Sequence, residues 1–107
     1  MPTQLVKGST ALTVGTEATL ATETAIGTYV MFVDASPLWP GDQLEARIYT
    51  EEAGEAAPVM VFRATLCGAQ NTPMLLSVPI PNTTTIKFTL LQAAGTPRMI
   101  SWAIDTL

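Results

Sequence analysis

The strongest constraint in this chain is a period of two. In QLEARIY, residues 43–49, Leu44, Ala46 and Ile48 alternate with Gln43, Glu45 and Arg47. That pattern makes one face apolar only if the backbone is extended, because successive side chains of a strand point to opposite sides. TYVMFVD, residues 28–34, is β-branched and aromatic without helical spacing. PRMISWAID, residues 97–105, sets Ile100, Trp102 and Ile104 against Met99, Ser101 and Ala103. PVMVFRATL (58–66), PMLLSVPI (73–80) and TTIKFTLLQ (84–92) follow the same grammar, each entered through a turn-forming stretch: EEAGEAA, CGAQNT and PNT. Pro79 and Pro81 assign the end of PMLLSVPI to a sheet edge, since proline has no N–H to give a ladder.

Ahead of these runs, QLVKG (4–8), TALTVG (10–15) and EATLATE (17–23) are shorter and rich in threonine. Glu17, Ala18 and Leu20 tolerate a helix, but the threonines and Gly15 oppose one, which leaves strand or extended arm. Seven or eight short strands at near-regular spacing predict an all-β fold, an antiparallel β-sandwich that is jelly-roll-like or immunoglobulin-like, with an extended N-terminal arm. Residues 1–24 are the arm or edge strands and residues 25–107 the body. At 107 residues the chain is long enough for one domain that buries roughly 65% of the surface it exposes when unfolded. With 48% hydrophobic and 13% charged residues, it has ample apolar surface to offset the entropy of ordering.

Five scattered basic residues and a net charge of −4 leave no stripe to neutralise a phosphate backbone, so no nucleic-acid partner is expected. No apolar run approaches a membrane span, and the opening MPTQLVKGSTALTVG lacks the basic and apolar regions of a signal peptide. The expectation is a soluble chain made in the cytoplasm, with no membrane partner. The chain has no histidine, which removes Ser-His-Asp triads, Cys-His pairs and the commonest general base at neutral pH. Cys67, the one cysteine, is therefore read as a buried or half-buried hydrophobe. A carboxylate pair is what remains for catalysis, with Asp34, Asp42, Glu45, Glu51, Glu52 and Glu55 as the nearest candidates.

Their placement favours turns. ASPLWPGD, residues 35–42, carries Ser36-Pro37 and Pro40-Gly41-Asp42, residues that preset turn dihedrals, and Asp34 and Asp42 sit where acidic side chains bond turn backbone. The alternate oxygen ligands of a calcium loop are missing. No catalytic residue, metal or cofactor is expected. Trp102 reads as a core anchor, with a ligand groove as the alternative. Leu38 and Trp39 either tuck over the end of the sandwich or stay exposed as an anchor for a partner.

GTYVMFVDASPLWPGDQLEARIYTE, VMVFRATLCGAQNTPMLLSVPIP and FTLLQAAGTPRMISWAI together resemble the small all-β virion structural proteins of tailed bacteriophages. The likeness covers residues 27–104. It implies a non-enzymatic capsid decoration or cement protein on the outer surface of the head shell, with the major capsid protein as partner and a homotrimer as the assembled form. The alternatives are a neck or tail component, or a tail or fibre module that recognises a surface glycan. On this reading residues 3–24 contact the shell or a neighbouring copy. Leu5, Val6, Leu12 and Val14, with Leu38 and Trp39, are then the candidate interaction residues.

Overall fold

The computed structural model describes residues 3–51, 59–68 and 74–107. Strands β1 (Thr3–Ala11), β2 (Glu17–Glu23), β3 (Gly27–Asp34), β4 (Gln43–Thr50), β5 (Val59–Cys67), β6 (Met74–Leu76), β7 (Ile80–Asn82), β8 (Ile86–Ala94) and β9 (Met99–Thr106) follow in order. Most of the loops EEAGEAA and CGAQNT, with Glu52 and Glu55, lie outside the described residues.

Two antiparallel sheets form, one in the order β1-β9-β3-β6 with β7 also on β3, the other in the order β2-β8-β4-β5. Only the β4–β5 and β6–β7 connections stay within a sheet, and every other link crosses to the opposite one. This wrapping is the jelly-roll form of the sandwich. Of the two forms expected for residues 1–24, the described part takes edge strands: β1 lies at an edge of the first sheet and β2 at an edge of the second. TALTVG is not a strand of its own. Its first residues end β1, and the Gly15 N–H then donates to the Gln92 carbonyl at 2.8 Å as the chain turns into β2. Gly15 holds a φ of 86°, a conformation that suits a residue without Cβ.

The alternation read in the sequence is the alternation of burial. Along β4 every second residue, Leu44, Ala46, Ile48 and Thr50, is buried. Ile86, Phe88 and Leu90 join them from β8, while Tyr29, Met31, Val33, Ile100 and Ile104 come from the other sheet. Tyr29 and Phe88 meet across the sandwich with ring centroids 6.0 Å apart and planes tilted by 50°, a favourable aromatic geometry. The Tyr29 hydroxyl keeps a partner by donating to the Ala25 carbonyl at 2.7 Å.

Two expectations about single residues change. Trp102 shares the inward face of Ile100 and Ile104 but is only half-buried, because its indole lies over Gly8 of the edge strand β1, where an added Cβ would come within 3.1 Å of the ring. Its Nε1 donates to Thr10 Oγ1 at 3.0 Å. Trp102→Ala is therefore expected to cost about 2 kcal/mol in urea denaturation, below the usual range for an enclosed aromatic. A loss as large as that of a fully buried ring would contradict this placement. Cys67 is exposed rather than buried, since Phe62, Ala64 and Leu66 take the inward positions of β5 and leave position 67 facing out.

Candidate functional site

The antiparallel order gathers residues 12–16, 35–42 and 95–98 at one end of the sandwich. There Asp34 Oδ1 accepts from the Ser36 N–H at 3.0 Å, the local bond that starts the turn and draws the Asp34 carboxyl below its usual range. Asp42 does more. Its Oδ2 accepts from the Trp39 N–H at 2.9 Å and from Arg98 Nε at 2.8 Å, and its Oδ1 accepts from the Thr96 N–H at 3.0 Å. Gln92, fully buried, completes the joint by donating its side-chain amide to the carbonyls of Ala94 and Thr96 and accepting the Arg98 N–H at 3.0 Å.

Both oxygens of Asp42 thus face N–H donors, an environment that suits an anion and opposes a cation. Among the described residues no three acidic or cysteine side chains cluster in the manner of a metal site. The Trp39 amide foremost, then Arg98 and the Thr96 amide, hold the Asp42 carboxyl below its ordinary value against the opposing pull of burial. On the outer face of the second sheet Glu17 behaves alike: burial raises it, and the Thr89 and Tyr49 hydroxyls with Arg47 more than reverse that.

The sign of the pH effect follows. Carboxyls whose folded value is depressed add stability in full above their unfolded value, about pH 4. That stability is lost as pH falls through the folded value. The urea midpoint should therefore hold between pH 7 and about pH 5 and drop below about pH 4. Asp42→Asn should make the drop shallower. An equal midpoint for the native chain at pH 7 and pH 3 would refute the role given to these carboxyls.

The two outer faces differ in kind. On the β2-β8-β4-β5 sheet, Glu17 Oε2 accepts from the Tyr49 hydroxyl at 2.7 Å and the Thr89 hydroxyl at 2.6 Å. Arg47 bridges it to Glu45, at 3.4 Å and 2.9 Å, and Lys87 lies 4.8 Å from the centre of the Tyr49 ring. Polar groups there satisfy one another, while Val59, Met60 and Val61 of the edge strand β5 are exposed. The outer face of the β1-β9-β3-β6 sheet instead presents Phe32, Ala103, Met74, Leu76 and Met99, the last three at least half exposed. A groove of about 470 Å³ crosses it, floored by Ser101 and Ala103, with Phe32, Asp34 and Met74 on one side and Lys7 and Ser9 on the other.

The six candidate interaction residues divide. Leu12 and Leu38 are 3% and 2% exposed and belong to the core, so neither offers a surface. Val6 is half-buried against that core, below a bulge that turns Leu5 outward. Trp39 is 65% exposed at the turn end, with the Arg98 guanidinium 5.7 Å from its ring centre, and Val14 lies in the turn after β1 at the same end. Leu5 sits near the opposite end of β1, so the residues do not form one patch. Phe32, Met74, Leu76 and Ala103 are surface groups that sequence reading missed. The signal was present, since Phe32 falls on the face opposite Met31 and Val33, but a strand of continuous apolar residues does not say which face is covered.

Comparison of the chain with protein-family models, with curated proteins and with solved structures finds no match to any of them.

Proposed function

We propose that the chain is a non-enzymatic structural protein of a bacteriophage virion, a decoration or cement protein that binds the outer surface of the head shell. The observation that carries this reading is the contrast between the two outer faces. One carries a network of its own hydrogen bonds and ion pairs, with Val59, Met60 and Val61 exposed only along its edge strand β5, whereas the other presents apolar side chains around an open groove, the composition of a surface that meets another protein. The use of Asp42 and Glu17 as internal acceptors supports it further, because their hydrogen-bonding capacity is spent on the fold. The resemblance of residues 27–104 to tailed-phage virion proteins supplies the choice of partner, the major capsid protein.

Co-sedimentation with expanded heads tests the reading: the chain should pellet with them in a saturable manner, and failure to do so at micromolar concentration would reject it. The groove also favours a second reading, a glycan-binding module of a tail or fibre, because it sets Phe32 beside Asp34, Ser9 and Ser101. Retention on a glycan array without binding to heads would select that alternative. Self-association is part of the first reading. The homotrimer that the resemblance implies would be built on a head-to-tail contact between copies.

A further inference from the structure

We infer that the outer face of the β1-β9-β3-β6 sheet is the contact surface of a two-fold homodimer. A two-fold contact uses one patch on both copies, so the patch must complement itself. Lys7 on β1 and Asp34 on β3 stand on opposite sides of the groove, separated by Ser101 and Ala103 of β9. Among the described residues neither takes part in an ion pair, whereas Arg47 and Arg98 are both bound to carboxylates. A two-fold axis lying in the plane of the face, midway between the two charges, brings Lys7 of each copy to Asp34 of the other. The strands of the two sheets then cross steeply, one of the two established ways for sheets to stack.

The same axis passes close to Phe32. The two copies of Phe32 therefore meet each other beside the small Ala103 residues, so the groove that a lone chain leaves open is filled from across the interface. Met74, at the margin of the groove, and Leu76, paired with Phe32 on the neighbouring strand, extend the apolar contact. The molecule is broad enough for this: its two longer dimensions are 39 and 32 Å against a thickness of 19 Å. A stable contact of this kind needs roughly 800 Å² from each partner.

The inference rests on the face that carries the proposed function and gives it an occupant when no head is present, so shell binding displaces the second copy; light scattering on the purified chain tests the dimer, and co-sedimentation with heads tests the shell. Light scattering coupled to size exclusion, at about 50 µM so that a micromolar dimer is populated, should return twice the chain mass of 11.4 kDa. Ala103→Glu, at the centre of the contact, should weaken association about thirtyfold or more. Lys7→Glu alone and Asp34→Lys alone should each yield monomers, because each sets like charges face to face twice. An equimolar mixture of those two variants should dimerise, because every facing pair is then of opposite sign. Asp34→Asn, which keeps an oxygen for the Ser36 N–H, separates loss of charge from loss of the turn and should also weaken the dimer. A native monomer, a native trimer, an Ala103→Glu dimer of unchanged strength, or charge variants that fail to restore one another on mixing would each overturn the inference.

Discussion

Phe88→Ala is expected to remove about 3–5 kcal/mol of folding stability, read from urea denaturation at neutral pH. Phe88 has no exposed surface, packs its ring against Tyr29 of the opposite sheet, and lies beside Ile48 in its own sheet. Truncation removes the transfer energy of the ring and leaves a cavity that two hydrogen-bonded sheets cannot close, since their separation is fixed by all the other residues between them. Domains of this size are stable by only about 5–15 kcal/mol, so the variant should sit near the edge of folding at 37 °C. Phe88→Leu, which fills most of the volume, should recover more than half of the loss. A midpoint for Phe88→Ala within error of the native chain would mean that the β8 register is wrong by one residue and that Lys87 and Thr89 face inward.

Gly95→Ala is expected to destabilise by about 2–4 kcal/mol although it adds a single methyl group at the surface. Gly95 has a φ of 97°, outside the range that L side chains adopt readily, and an added Cβ would come within 2.6 Å of the Asp42 Cα and still closer to its carboxylate. Backbone does not move aside as a side chain does. Relief requires the 95–98 turn to withdraw from Asp42, which breaks the bonds from the Thr96 N–H and Arg98 Nε and frees the end of the sandwich. Gly41→Ala is the control, because Gly41 has a similar φ of 94° with open space where a Cβ would go. It should show only the conformational cost, about 1–2 kcal/mol. Equal losses for the two variants in the same urea titration would show that the approach of Gly95 to Asp42 contributes nothing.

These two experiments probe different kinds of information. The placement of Phe88 was open to sequence reading, because TTIKFTLLQ alternates and lies among other alternating runs. The close approach of Gly95 to Asp42 was not. Asp42 was recognisable as a turn residue from Pro40-Gly41-Asp42, but its partners Thr96 and Arg98 are 54 and 56 residues further along, and nothing in the local pattern of either segment refers to the other.

The sequence by itself determined the class of fold, since a period of two punctuated by glycine, proline and asparagine can be satisfied only by short strands that bury one side. It also determined where β3, β4, β8 and β9 run, because the burial of Leu44, Ile48, Phe88, Ile100 and Ile104 is local alternation made three-dimensional. Only the tertiary structure decided the jelly-roll connectivity, the division of Leu38 into the core from Trp39 at the surface, and the placing of half-buried Phe32 with exposed Met74 and Leu76 on an outer face. The physical reason is the same in each case. Alternation fixes which residues share a side of a strand, but which side meets another layer depends on how strands distant in sequence stack, and that is set by the packing of the whole core.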